Sequence, residues 1–197
     1  LAMLSEIPDV DVRAAAAIAP SSVIWQAMAD GRPPQKSSWT LGGEPLPYLP
    51  LHGERLLPQI IKRALLQRLS WRPHPRPLRV LPAFAASLRD RRAVARAAIR
   101  VERIAAPILF VVGDDDQMWP AAAMLKTLRS RRRSSGYEEA DRYLRFADTG
   151  HIIRPPIVPT TITQTEALHA GGTPAGCARA NADAWQAILT LLDDHLA

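Results

Sequence analysis

An acidic cluster and one histidine are the residues in this sequence whose types and spacing could support catalysis. The cluster, Asp114–Asp116, directly follows an apolar run at Ile108–Val112. His151 follows a second β-prone stretch at Asp141–Ala147, and the chain between the cluster and His151 has room for one crossover helix and one strand. Strand, acid, helix, strand, histidine is the later half of the Ser/Cys…Asp…His order used by α/β-hydrolases. The pattern therefore indicates an acid that orients a histidine serving as general base.

The strands and helices around these residues predict an α/β fold with a parallel sheet. The run Ile108–Val112 is continuously apolar and rich in β-formers, which is typical of a strand buried on both faces. Carboxylates just beyond the C-terminal end of such a strand lie where open α/β sheets keep their active sites. Another buried strand is predicted at Val12–Ala19, a helix at Ala121–Arg132, and a final helix that begins near Pro174 with Thr173 as its N-cap.

Two further helices are predicted between the first two strands, at Leu56–Leu69 and at about Ala83–Arg100. Leu1–Ile7 has apolar residues on one face and no capping residue before it, so we expect the end of a helix that began earlier. The sequence is accordingly expected to be incomplete at its N-terminus.

A stretch from Ala29 to Pro58 is dense in proline, glycine and serine, and proline at this density predicts that regular structure is excluded. It also contains apolar residues, and it is longer than the usual connection within a compact domain. Both properties favour a packed lid or binding loop. Leu46 and Tyr48 are our candidates for substrate-binding residues in this lid.

Composition excludes several classes of protein. The chain has 197 residues, of which 47% are hydrophobic and 22% charged, as in an ordinary globular domain. No apolar run approaches the ~20 residues that span a bilayer, and we expect a cytoplasmic protein. The formal charge of +6 comes almost wholly from arginine, and without zinc-ligand spacing or an RNA-binding pattern it does not indicate a nucleic-acid partner. Cys177 is the only cysteine, which excludes an intrachain disulfide.

Five stretches of the sequence resemble the C-terminal catalytic domain shared by acyl-CoA thioester hydrolases and bile acid-CoA:amino acid N-acyltransferases. They occur in the family's order and cover most of the chain. They are SSWTLGGEPLPYLP (Ser37–Pro50), VERIAAPILFVVGDDDQMWP (Val101–Pro120), TGHIIRPPIVP (Thr149–Pro159), LHAGGTP (Leu168–Pro174) and ADAW (Ala182–Trp185).

The resemblance implies an α/β-hydrolase fold, an acyl-CoA substrate, no cofactor and no metal. It also implies that Asp116 is the acid of a catalytic triad and His151 its general base. The nucleophile, in a G-x-[SC]-x-G elbow, is expected upstream of Leu1, so none is assigned within this chain. The domain is expected to cover residues 1–197, with an excursion at 29–100 between two core strands.

The remaining polar residues are expected to have structural roles. Asp114 and Asp115 are interpreted as solvated or capping acids, His169 as a structural hydrogen-bonding residue, and Trp119 as packing beneath the acid loop. Cys177 comes after the histidine, the wrong place in the order for a nucleophile. We predict that the three other histidines, His52, His74 and His195, lie at the surface.

Hydrolysis of an acyl-CoA thioester is the leading functional hypothesis. Transfer of the acyl group to an amino acid, a dienelactone-hydrolase-like esterase activity and a non-catalytic binding role remain as alternatives. The identity of the nucleophile, serine or cysteine, would separate the first two.

Overall fold

The computed structural model describes residues 10–28, 35–69 and 77–196. Five strands and five helices are described here in chain order. They are β1 (Ala15–Ile18), β2 (Thr40–Leu41), β3 (Glu44–Pro45), α1 (Leu57–Leu69), α2 (Leu81–Ser87), α3 (Arg91–Arg96), β4 (Ile108–Gly113), α4 (Ala121–Ser134), β5 (Arg142–Phe146) and α5 (Pro174–Leu196). Three short 3₁₀ helices, at Gly53–Leu56, Val101–Arg103 and Glu138–Ala140, join these segments.

The main sheet has three parallel strands in the order β1-β4-β5. Ala15 pairs with Ile108 at one end of the β1–β4 ladder, and Gly113 pairs with Phe146 at the carboxyl end of the β4–β5 ladder. The predicted α/β class with a parallel sheet is thus confirmed. Strands β1 and β5 are shorter than the stretches predicted for them, and β4 extends one residue beyond its predicted run, to Gly113.

Strand β4 is buried along its whole length because helices cover both of its faces. Ile108, Phe110 and Val112 pack in one hydrophobic cluster with residues of α4, including Leu125 and Leu128. Leu109 and Val111 point the opposite way and pack in a second cluster with α5, including Ala184 and Leu191. This alternation is the period-2 pattern of a strand, and it explains why the sequence of β4 is continuously apolar.

Helix α5 begins as predicted. Pro174 is its first residue, and the Thr173 hydroxyl accepts a hydrogen bond from the Gly176 N–H at 3.0 Å. Proline has no backbone N–H group. Its place at the start of the helix costs no hydrogen bond, because the first four N–H groups of a helix have no partner within it. The start of α5 is fixed next to the loop after β5, because the Thr173 N–H donates to the Asp148 carbonyl at 2.9 Å.

One predicted helix, at Ala83–Arg100, is wrong as a single element. The structure has two short helices there, α2 and α3. Asp90 causes the break: its Oδ1 accepts the N–H groups of Arg92 and Ala93 at 3.0 and 2.9 Å and so caps the start of α3. The apolar periodicity continues through the break, and it therefore hid the capping residue.

The predicted absence of regular structure in Ala29–Pro58 is also wrong in detail. Strands β2 and β3 form a small antiparallel hairpin, and the turn between them uses Gly42 and Gly43 at φ +59° and +85°. The predicted helix at Leu56–Leu69 is confirmed as α1 with its preceding 3₁₀ turn. The prediction for Leu1–Ile7 lies outside the described residues. In the described ranges, no helix is long and apolar enough to cross a membrane.

Candidate active site

Asp116 lies in the tight turn that follows β4, and its carboxylate is almost fully buried, with 3% of the side chain exposed. Its Oδ1 accepts the backbone N–H groups of Met118 and Trp119 at 2.8 and 3.1 Å. These two bonds fix the carboxylate against its own loop. They also satisfy one oxygen, so that the other, Oδ2, is available to a partner outside the loop.

His151 is that partner. Its Nδ1 lies 2.8 Å from Asp116 Oδ2, and 18% of the histidine side chain is exposed. Because an ionised carboxylate only accepts hydrogen bonds, Nδ1 carries the proton, and Nε2 is left with a lone pair in the neutral imidazole. The structure therefore brings the predicted acid and histidine together in the geometry of a base held in one tautomer.

The His151 ring also contacts the Trp119 ring. The two ring centroids are 4.8 Å apart and the rings are perpendicular. Trp119 also meets Phe84 edge to face at 5.9 Å, and Phe84 meets Trp25 at 4.8 Å. Trp119 thus packs beneath the acid loop as predicted and, in addition, forms a wall of the histidine itself. Within the described residues, its indole N–H is buried without a hydrogen-bond partner.

A loop at 168–172, which follows in the chain, ties the acid loop to the histidine loop. The Ala170 carbonyl accepts the N–H groups of both Gln117 and His151, at 3.2 and 2.9 Å. Gly171, at φ +86°, lies so close to Asp115 that a Cβ would stand 1.8 Å from the Asp115 carbonyl oxygen. Only glycine fits such an approach. The 168–172 loop therefore positions Asp116 and His151 relative to each other.

Asp115 is the residue of the acid loop whose contacts sequence reasoning missed. Its Oδ2 accepts the Gly172 N–H at 2.8 Å, and its Oδ1 accepts the Gln117 side-chain amide at 2.7 Å. The expectation of a solvated acid is thus incomplete, since this carboxylate joins two loops. Asp114, by contrast, forms a half-exposed ion pair with Arg145 at 3.0 Å. The sign available in the sequence was the Gly171-Gly172 pair, which indicates a close backbone approach.

The other predicted residues lie apart from this pair or serve it indirectly. His169 has a structural role, as predicted, because its Nδ1 accepts the Gly171 N–H at 3.1 Å. Cys177 is fully buried in the first turns of α5. His52 is exposed and His195 is half-buried, and His74 lies outside the described residues. Within the described residues, no group of three or more potential ligands is arranged to hold a metal ion.

Leu46 and Tyr48 are half-buried in the segment after the β2–β3 hairpin. The neighbouring Leu49 is fully buried and belongs to one hydrophobic cluster with Trp25 and Phe84, against which Trp119 packs. The excursion therefore reaches the histidine through this cluster. In the described part of the chain, neither Leu46 nor Tyr48 belongs to the cluster, and their role in substrate binding stays a prediction.

One cavity in the described part of the chain lies away from the histidine. It measures about 330 Å³ and is lined by apolar residues of β1, β4 and α4, including Ala17, Ile18, Phe110 and Leu128. No residue of the acid loop or of the histidine loop lines it. This cavity is thus separate from the Asp116–His151 pair.

The fold and this pair define an α/β protein with a hydrogen-bonded acid and histidine at the carboxyl end of a parallel sheet. Residues 81–197 match the family model described as BAAT / Acyl-CoA thioester hydrolase C terminal. That match covers more than half of the chain, and the chain belongs to this family.

Curated proteins with similar sequences are acyl-CoA thioesterases. The chain is 33% identical over 103 residues to human acyl-coenzyme A thioesterase 6, a match that covers 50% of this chain and 24% of that protein. The mouse peroxisomal succinyl-coenzyme A thioesterase gives the same identity and the same coverage. Human mitochondrial acyl-coenzyme A thioesterase 2 is 32% identical over 103 residues, 50% of this chain and 21% of that protein. The match thus spans about a quarter of the length of these relatives.

Proposed function

We propose that this chain supplies the acid and the general base of an acyl-CoA thioesterase with an α/β-hydrolase fold. The observation that carries the proposal is the 2.8 Å hydrogen bond between Asp116 Oδ2 and His151 Nδ1 at the carboxyl end of β4 and β5. Family membership and the names of the relatives supply the substrate class, an acyl thioester of coenzyme A.

In the proposed reaction, His151 Nε2 takes the proton of a serine or cysteine nucleophile as that group attacks the thioester carbonyl. The C–S bond then breaks, and the His151 imidazolium gives its proton to the leaving coenzyme A thiolate. Water attacks the acyl-enzyme with the neutral His151 again as base, and His151 returns the proton to the nucleophile as the carboxylic acid is released. Asp116 holds the imidazole in the required tautomer and stabilises the imidazolium that forms in each step.

The nucleophile is proposed to come from outside the 197 residues, in the elbow expected upstream of Leu1. Three hydroxyl- or thiol-bearing residues of the described chain are hydrogen-bonded or buried. Ser21 donates to the Val23 carbonyl at 2.7 Å, and the Cys177 thiol is fully buried. Ser22 is also buried.

The test is release of coenzyme A thiol from a series of acyl-CoA esters. The parent protein is this chain together with the upstream segment that carries the proposed nucleophile, and it is compared with its His151→Ala variant. We expect turnover in the parent protein and its near-complete loss in the variant, with an unchanged circular dichroism spectrum. Adding glycine to the assay separates hydrolysis from amide formation, the alternative activity. Acyl-CoA turnover that survives His151→Ala would exclude this mechanism.

We propose further that the proline-rich stretch at 29–58 forms part of the acyl-chain site, with Leu46 and Tyr48 in contact with the acyl chain. The packing of Leu49, Trp25, Phe84 and Trp119 toward His151 supports this assignment. Leu46→Trp and Tyr48→Ala should each change the ratio of kcat/KM for short and long acyl-CoAs by about tenfold, since a pocket discriminates by ~1–3 kcal/mol per methylene. Equal changes for all chain lengths would show that the lid is not part of the binding site.

The expected cytoplasmic location also stays a proposal, since relatives include proteins named peroxisomal and mitochondrial.

A further inference from the structure

Helix α1 is packed against the protein by its more polar side. Its Leu57, Ile61 and Leu65 are 52–65% exposed, and the half-buried positions are Gln59, Arg63 and Leu66. None of its residues is fully buried. An amphipathic helix ordinarily buries its apolar stripe. The burial of the polar side therefore requires a separate explanation.

Gln59 fixes this side of α1 to the segment at 77–79. Its side-chain nitrogen donates to the Arg79 carbonyl at 2.9 Å, and its side-chain oxygen accepts the Arg79 N–H at 3.1 Å. The two bonds hold α1 at a set distance from the chain that leads into α2. A pocket of about 230 Å³ lies in the resulting gap. Its lining residues are Gln59, Lys62, Arg63, Leu66, Pro77 and Leu78.

The pocket carries two positive charges and no negative charge. No acidic residue lines it, and α1 contains none. Within the described residues, neither Lys62 nor Arg63 forms an ion pair. Several arginines elsewhere are compensated; for example, Arg129 and Arg133 bind Glu138, and Arg142 binds Asp194. Uncompensated lysine and arginine in a concave site attract an anion, and the planar guanidinium fits the oxygens of a phosphate.

Backbone hydrogen bonds connect this pocket to the histidine loop. Leu78, which lines the pocket, donates its N–H to the Ala167 carbonyl at 2.8 Å, and its carbonyl accepts the His169 N–H at 2.9 Å. The next residue, Ala170, accepts the N–H of His151 at 2.9 Å. The cationic pocket is therefore connected to the proposed general base by a short series of backbone hydrogen bonds.

We propose that the pocket formed by Gln59, Lys62 and Arg63 binds the phosphate groups at the nucleotide end of a coenzyme A thioester. This inference rests on the proposed function for the identity of the ligand. A coenzyme A thioester carries its reacting carbonyl at one end of a long pantetheine arm and its phosphates at the other. It needs a reactive site and, at a distance, a cationic site, which is the arrangement of His151 and this pocket.

The experiment compares Lys62→Ala, Arg63→Ala and the double variant with Arg68→Ala. Arg68 is exposed on the same helix and does not line the pocket, so its removal changes the charge as much as either single pocket substitution does. We expect the double variant to raise KM for acyl-CoA about tenfold or more with kcat nearly unchanged, since the lost contacts are charge-assisted. Arg68→Ala should leave both constants unchanged. With the acyl thioester of N-acetylcysteamine, which has no nucleotide, all variants should match the parent protein.

Direct binding of adenosine 3′,5′-bisphosphate, measured by calorimetry, separates this inference from the proposed function. Binding that the double variant loses and Arg68→Ala keeps supports the phosphate site, even in a protein that turns over no acyl-CoA. Binding that is absent from the parent protein, or equal in all variants, overturns the inference whatever the turnover. An equal rise in KM for both kinds of thioester would also overturn it, because the variants would then act through the acyl site.

Discussion

The two ends of strand β4 each hold a buried carboxylate paired with a basic side chain. The two pairs differ in whether the basic side chain keeps a hydrogen-bonding atom without a partner. At the N-terminal end, Asp141 and Arg132 form a two-bond ion pair, with both contacts at 2.7 Å and both side chains 0% exposed. At the C-terminal end, Asp116 bonds His151 once, at 2.8 Å, and the histidine remains 18% exposed.

Arg132 has no hydrogen-bonding group left over. Besides Asp141, its guanidinium donates to three backbone carbonyls, those of Val101, Ile104 and Ala106. All five of its N–H groups are therefore satisfied. Asp141 in turn accepts the Ile108 N–H at 3.0 Å, which fixes the first residue of β4. This pair holds several chain segments together and offers nothing to a substrate.

His151, in contrast, has only one ring nitrogen committed to Asp116. A buried acid–base pair is thus suited to chemistry when one of its proton-binding atoms stays free and accessible, and to architecture when every atom is used. Arginine also stays charged at all working pH values, whereas histidine exchanges a proton near neutrality.

Asp116→Asn should have the largest effect at the C-terminal end. The asparagine can keep the Met118 and Trp119 N–H bonds, but its amide nitrogen would favour the wrong tautomer of His151. We expect kcat for acyl-CoA to fall about 10⁴-fold, with the urea unfolding midpoint changed little. Steady-state kinetics and urea titration check both parts. Near-normal turnover would remove Asp116 from the mechanism.

Arg132→Ala should have the opposite profile, a large loss of stability. It leaves the Asp141 carboxylate buried without its partner, and breaking a buried pair in this way typically costs ~3–5 kcal/mol. Urea denaturation measures the change in the free energy of unfolding. Arg142→Ala is the matched control, because its ion pair with Asp194 is about half exposed and should contribute under ~1 kcal/mol. Equal losses in the two variants would contradict the architectural role of Arg132.

The sequence predicted one end of β4 better than the other. The choice of Asp116 among the three acids came from the family resemblance. The acidic cluster and His151 were identifiable because each comes shortly after a β-prone run, and chain order alone brings the ends of neighbouring parallel strands together. Arg132 was not, since an arginine in the run Arg131–Arg133 ordinarily faces water. The outward apolar side of α1 was missed for a similar reason: periodicity predicts that a helix forms, but not which side the rest of the chain covers.

Gly171→Ala tests whether the C-terminal end also depends on close backbone approach. The left-handed conformation costs alanine roughly 1–2 kcal/mol, and the added Cβ would meet the Asp115 carbonyl oxygen. Gly43→Ala is a precise control, because Gly43 has nearly the same φ, +85°, but nothing lies within 4 Å of its Cβ position. We expect Gly43→Ala to cost about 1 kcal/mol without affecting kcat. Gly171→Ala should cost more and lower kcat. Matching effects of the two variants would assign the whole effect to φ and exclude the contact with Asp115.

Tyr143→Phe should change the stability least, and the pH dependence of that change is the test. The Tyr143 hydroxyl donates to Asp141 Oδ2 at 3.0 Å, and burial, followed by the Asp141 charge, raises the pKa of Tyr143 above the ordinary value of 10.0. Below pH 10 the phenol is neutral in both states, and the lost hydrogen bond should cost about 1 kcal/mol. Above pH 10 the unfolded chain releases a proton that the folded chain retains, so this tyrosine's contribution to stability falls as pH rises. Urea titrations at pH 8 and pH 11 should therefore show the difference between parent and variant shrinking. A constant difference would mean that Tyr143 ionises equally in both states, and a growing difference that it ionises more readily in the folded state. Either result would contradict a raised pKa of Tyr143 beside Asp141.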